Sequence, residues 1–130
     1  MNTKHVTSLE ISKQLAEAGI VIESESQWEV GGKLSGKQNA TLVLRNRPPS
    51  FVSADSAWSF YPAPIATEIM EWFPRGYDFG FELIKLGEGY GAICKDYRVM
   101  PYKRIGFEKD DNASDALALL LIRLTKDGLM

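Results

Sequence analysis

The stretch YDFGFELIKLGEGYGAICKDY, residues 77–97, decides the fold of this chain. Apolar side chains occupy every second position over residues 77–83, which is the period of a β-strand with one buried face. Gly-Glu-Gly then marks a tight turn, and a second strand follows over residues 90–97. The stretch therefore predicts an antiparallel β-hairpin.

Weaker strand patterns precede this hairpin. Residues 27–30 and 41–45 flank a Gly/Ser-rich loop, and residues 57–61 have the composition of an edge strand. Because the strands are joined by hairpins, without helical crossovers between them, we expect an antiparallel sheet of about four to five strands in an α+β fold. The helices should pack on one face of this sheet or at its ends.

Three helices are predicted, one N-terminal, one central and one C-terminal. Residues 8–18 form the first, where Thr7 and Glu10 have the spacing of a capping box. The central helix should span residues 64–73 and the last one residues 113–126. The outer two both end at a glycine followed by an aliphatic residue, which is typical of a Schellman motif.

The last helix has more apolar residues than one buried stripe needs. One stripe of the helix is already sufficient to face the core, and Leu119 and Ile122 lie to one side of it. The residues of this stripe are Ala113, Ala116, Leu117, Leu120, Leu121 and Leu124. Two arrangements account for this flank. Either the helix is sandwiched between the sheet and the other helices, or Leu119 and Ile122 form an interface with another chain, for instance in a homodimer.

Length and composition indicate a single globular domain over residues 1–130, in which residues 1–6 form a flexible tail. The N-terminus lacks the apolar segment of a secretory signal, and the longest apolar run, residues 116–122, is far too short to span a bilayer. Cys94 is the only cysteine, so this chain cannot form an internal disulfide. We expect a cytoplasmic protein without a membrane segment.

The sequence predicts no catalytic residue, no cofactor and no metal site. His5 is the only histidine and precedes the first helix, where nothing orients it, while Cys94 falls within a strand. Residues 31–37 match G-x-x-x-x-G-K, but the next residue is Gln38 and a strand follows where a phosphate-binding loop requires a helix.

Two charged groups of residues keep other functions open. Acidic residues concentrate around the start of the last helix, where capping explains them, although an enzyme using clustered carboxylates remains an alternative. They are Glu108, Asp110, Asp111 and Asp115. A basic-aromatic patch suggests a groove for phosphate or single-stranded nucleic acid, although the net charge of −2 argues against nucleic acid. Its members are Arg45, Arg47, Tyr97, Arg98, Tyr102, Lys103 and Arg104.

Three segments resemble small proteins of bacteriophages and prophages that have no assigned activity. They are residues 9–19 with Trp28, residues 61–74, which read YPAP at the start and WFP at the end, and residues 113–129. The resemblance implies a phage or prophage origin and action in the bacterial cytoplasm on a host or phage protein. The leading hypothesis is therefore a non-enzymatic binding or accessory protein that acts through protein–protein contacts.

Overall fold

A computed structural model describes residues 5–31, 39–44, 59–74 and 78–129 of the chain. These residues form three helices and six strands. In chain order they are α1 (Leu9–Glu17), β1 (Ser26–Gly31), β2 (Asn39–Leu44), β3 (Ser59–Pro62), α2 (Ala66–Trp72), β4 (Phe79–Leu86), β5 (Gly89–Asp96), β6 (Lys103–Asp110) and α3 (Ala113–Lys126). The α+β class and the antiparallel pairing are as the sequence predicts.

The strands are divided between two sheets, whereas the sequence predicts a single sheet of about four to five strands. The first sheet has the order β2-β1-β3 and the second the order β4-β5-β6, both antiparallel throughout. The predicted hairpin is β4-β5. The sequence does not predict β6, which pairs with the second edge of β5 and leaves that strand no free edge for the first sheet.

Helix α3 lies between the second sheet and the other two helices. It packs on β5 and β6 on one side and against α1 and α2 on the other. At Gly106 of β6, an added Cβ atom would lie 2.8 Å from Cδ1 of Leu120, so the missing side chain lets the helix approach the strand. The side of the second sheet that faces α3 is called the inner face below, and the opposite side the outer face.

This position accounts for the surplus apolar flank of α3. Ile122 is only 4% exposed, and Leu119 is partly buried against the same core cluster. Ile122 is therefore covered within the chain, as in the sandwiched arrangement, whereas Leu119 keeps part of its surface exposed. The homodimer through these two residues gains no support from this burial.

The segment before α1 is held against the body of the protein. The carbonyl of His5 accepts a hydrogen bond from Ser114 Oγ, and the carbonyl of Val6 accepts one from Asn112 Nδ2, both at 2.7 Å. The backbone N–H of Thr7 donates to Pro64, and its buried hydroxyl is hydrogen-bonded to that of Ser12 at 2.7 Å. Ser8 therefore caps α1 in place of Thr7, and its Oγ accepts from the N–H of Ile11. The flexible tail expected over residues 1–6 does not extend to His5 and Val6.

Both Schellman endings are confirmed. Gly19 and Gly128 have positive φ angles of 76° and 75°. Ile20 N–H donates to Leu15 at 2.9 Å, and Leu129 N–H donates to Leu124 at 3.0 Å. None of the helices in the described part of the chain has both the length and the apolarity needed to cross a membrane.

The core position of Ile122 gives the first prediction. We expect Ile122→Ala to lower the free energy of unfolding by about 2–5 kcal/mol, because it leaves a cavity at a buried site. Urea denaturation followed by tryptophan fluorescence measures this loss, and Leu119→Ala, at a partly buried site, should cost less. The loss should be the same at low and high protein concentration. A loss that grows with dilution would instead place Ile122 in a subunit interface.

Candidate binding site at the β5–β6 turn

The turn between β5 and β6 is fixed by one buried carboxylate. Asp96 is only 7% exposed and accepts hydrogen bonds from the backbone N–H of Arg98 at 2.9 Å and from its Nε and Nη2 atoms at 3.0 Å. The side-chain hydrogen bonds of Arg98, followed by its backbone N–H, hold the pKa of Asp96 below its usual value. The guanidinium also lies over the ring of Phe79, 4.7 Å from its centroid.

This fixed turn presents apolar side chains to solvent. Met100 is 95% exposed and Val99 is 44% exposed, and Pro101 beside them is exposed as well. We call these three residues the tip. An exposed apolar group on an ordered turn costs free energy in water, and such groups often mark a contact surface.

On the outer face, glycines make room for larger neighbours. The ring of Tyr97 lies over Gly80, where an added Cβ would come within 2.5 Å of ring atom Cε2. Gly91 is covered in the same way by Leu86, Ile84 and Phe107. The face is therefore closed by its own side chains, without a described helix on top of it.

Next to Tyr97 the outer face carries a group of aromatic and cationic side chains that lie against one another. The rings of Tyr97 and Tyr102 are in edge contact, with centroids 5.8 Å apart, and Lys95 Nζ lies 4.7 Å from the centroid of Tyr102. Lys95 also forms an ion pair with Glu82 at 3.0 Å. The guanidinium of Arg104 lies 5.4 Å from the ring centroid of Phe107. An open groove runs along this group, lined by Ile93, Lys95, Pro101, Tyr102 and Arg104.

The structure divides the predicted basic-aromatic patch between two faces. Tyr97, Tyr102 and Arg104 come together on the outer face. Arg98 and Lys103 belong instead to the side of Asp96, since neighbouring residues of a strand point to opposite faces. Arg45 and Arg47, the other two members, lie outside the described residues.

The sequence does not single out several residues of this site. They are Lys95, Asp96, Val99, Met100 and Phe107. Lys95 and Asp96 lie in a predicted strand, but Asp-x-Arg at a strand end is a pattern that allows the carboxylate to bind the backbone two residues later. Nothing in the local sequence indicates that Val99 and Met100 are exposed.

The acidic residues near α3 do not converge on a pocket. Glu108 pairs with Arg123 at 3.4 Å, and Asp110 accepts from the backbone N–H of Asn112 at 3.0 Å. Asp115 accepts from the backbone N–H of Ser8 at 2.7 Å. Among the described residues there is no group of three or more potential metal ligands. Each of these carboxylates is engaged in a separate structural contact, and they give the hypothesis of an enzyme with clustered carboxylates no support.

His5 and Cys94 are likewise not arranged for catalysis. His5 is exposed, and none of the described side chains forms a hydrogen bond with its imidazole. Cys94 is buried against α3, and this burial, with a smaller effect of the Asp96 charge, raises the pKa of its thiol to about 11. Of the motif at residues 31–37, Gly31 ends β1, whereas Gly36 and Lys37 lie outside the described residues. β2 follows them where a phosphate-binding loop needs a helix.

Comparison with known proteins found no relative of this chain. No family model matches the chain, and neither the curated proteins nor the solved structures gave a significant match. The phage or prophage origin that the sequence resemblance implies therefore stays a prediction.

The ion pair that fixes the turn predicts a dependence of stability on pH. Because the pKa of Asp96 in the folded state lies below its usual value of 3.8, its carboxylate stabilises the fold above that pH. The contribution is lost as the pH falls through the folded-state pKa. We expect Asp96→Asn to be less stable than the wild type at neutral pH, and this difference to shrink in acid. Urea denaturation at a series of pH values measures it.

Asp115→Asn is the control, because we expect its effect on stability to change with pH in the opposite direction. Burial, above all, raises the pKa of Asp115 above 3.8, so its protonated form favours the fold. As the pH falls through this raised pKa towards 3.8, the wild type should gain stability relative to Asp115→Asn. If both variants differed from the wild type by the same amount at every pH, the assignment of these two carboxylates would be refuted.

A further prediction concerns the thiol. In the native protein Cys94 should fail to react with a disulfide reagent such as 5,5′-dithiobis(2-nitrobenzoate), because the thiolate is both buried and disfavoured. Reaction should begin only in urea concentrations that unfold the chain. A Val99→Cys variant provides the positive control, since its added thiol on the tip should react at once. Fast modification of Cys94 in the folded wild type would contradict its burial.

Proposed function

We propose that this chain is a non-enzymatic binding protein that holds a protein partner at the tip of the β5–β6 turn. The observation that carries the proposal is the 95% exposure of Met100 on a turn that the Asp96–Arg98 pair fixes. A turn that is already fixed loses little backbone conformational entropy on binding, so more of the burial energy of its side chains contributes to affinity.

The chemistry of the tip and its surroundings supports a protein partner. Methionine, tyrosine and arginine are enriched in the centres of protein interfaces, and here Met100 lies between Tyr97 and Tyr102 in the chain, with Arg98 at the base of the turn. Tyr97 and Tyr102 are each about half exposed, at 45% and 51%. The partner that fits this surface has an apolar pocket for Met100.

The sequence resemblance supplies the proposed setting. A small phage or prophage protein in the bacterial cytoplasm would meet host or phage proteins as its partners. The engaged carboxylates around α3 and the buried thiol support binding over catalysis.

Capture of the partner tests the tip directly. The purified chain, immobilised, is exposed to a lysate of phage-infected bacteria, and the captured protein is then titrated against wild type and a Val99→Ser/Met100→Ser variant. We expect the double variant to bind about tenfold or more weakly, as for loss of a central apolar anchor. Val21→Ser, at a site 65% exposed outside the turn, should bind like the wild type.

Wild type and the Val99→Ser/Met100→Ser variant also distinguish a second copy of the chain from a different partner. If sedimentation shows a wild-type dimer that the double variant does not form, the partner at the tip is the chain itself. Equal capture by the wild type and the double variant would exclude the tip as the binding surface.

A further inference from the structure

The outer face of the second sheet carries a local excess of positive charge. Lys95, Arg104 and Lys109 project from it, and the described carboxylates beside them are those of Glu82 on β4 and of Asp111, which lies next to Gly89. The chain as a whole has a net charge of −2, so this excess belongs to the face and not to the protein. A local field of this kind attracts anions even to an acidic protein.

Two of these cations are placed directly opposite each other. A bulge in the β5–β6 ladder pairs Cys94 with Gly106 and Lys95 with Arg104, so that Ile105 between them has no partner. Like charges on opposed residues repel. Glu82 compensates Lys95, but Arg104 has no carboxylate partner among the described residues, and its guanidinium lies only over the ring of Phe107. An anion bound here would relieve the repulsion.

Aromatic surface adjoins these cations. Tyr97 and Tyr102 are both about half exposed, and Lys95 lies against Tyr102. The open groove that passes them has Arg104 on one side and Ile93 and Pro101 as apolar lining. Sites that bind a single nucleic-acid strand combine the same parts, rings for the bases and cations for the phosphates.

We infer that the outer face binds single-stranded nucleic acid, with phosphates at Arg104 and Lys95 and a base against the ring pair of Tyr97 and Tyr102. An acidic peptide would engage the cations alone, whereas a strand that alternates phosphate and base engages both parts of the groove. A duplex would present its phosphates but keep its bases paired and out of reach of the rings. This surface adjoins the tip and shares Pro101 with it, but the cations and rings that the inference uses do not include Val99 or Met100.

The probe is a fluorescein-labelled oligothymidylate of roughly 15 nucleotides, within the range of known single-strand site sizes. Anisotropy is measured at increasing salt concentration. We expect saturable binding whose logarithm falls linearly with the logarithm of the salt concentration. Arg104→Ala should weaken binding and make this slope shallower by about 0.7, the contribution of one phosphate of a single strand.

Tyr102→Ala tests the rings separately from the charges. Loss of one stacked base should weaken binding roughly 5- to 150-fold and leave the salt slope unchanged, because no charge is removed. Lys126→Ala on α3 and Phe60→Ala on β3 are matched controls, a cation and an exposed ring away from this face. Both should bind like the wild type.

Three results would overturn the inference. They are an absence of binding at low salt, equal affinity for the duplex of the same length, and Tyr102→Ala binding as tightly as the wild type. Tighter binding of a labelled oligoglutamate would assign the cations to an acidic protein segment instead. The Val99→Ser/Met100→Ser variant should keep its affinity for the oligonucleotide, so failure of this inference and failure of the tip proposal can be told apart.

Discussion

The contact between α3 and the second sheet is the interaction on which the rest of the structure depends. Leu117, Leu120, Leu121 and Leu124 of this helix are all buried to within 1% of their surface. Gly106 permits the close approach of Leu120 to β6. Because α1 and α2 pack on the other side of the same helix, α3 needs apolar residues nearly all round. The flank that suggests an interface in the sequence is thus required by the position of the helix.

In the described part of the chain a helix packs on one side of the second sheet only, and side chains of the sheet itself cover its outer face. Glycine at residues 80 and 91 leaves space for rings and aliphatic groups from neighbouring strands. Ile93 is only 6% exposed, although none of the described helices lies above it. Tyr97, Tyr102 and the cations beside them stay accessible on this face. The surface that we propose to bind single-stranded nucleic acid is therefore the part of the outer face that this packing leaves uncovered.

The sequence predicts best those parts of the fold that are fixed by local chemistry. The β4-β5 hairpin follows from alternation and its glycine turn, and the end of α3 at Gly128 follows from a backbone angle that glycine adopts readily. The sequence does not predict β6, because the charged residues of this strand obscure the alternation of polar and apolar residues. Its strand structure is evident only from its pairing with β5. The basic-aromatic patch was predicted in part, since neighbouring residues such as Lys103 and Arg104 separate onto two faces once they lie in a strand.

The bulge at Ile105 determines which residues meet on the outer face, and magnitudes show what it contributes. In a regular ladder Lys95 would oppose Ile105, and the isoleucine would lie on the outer face. With the bulge Ile105 packs against the core instead, which is worth up to about 1.5–3 kcal/mol, while opposing Lys95 with Arg104 costs about 0.2–1 kcal/mol. Packing therefore suffices to explain the bulge. It does not explain why rings stay half exposed beside Arg104, which has no described carboxylate partner. The single nucleic-acid strand that we propose as the ligand would supply contacts to both.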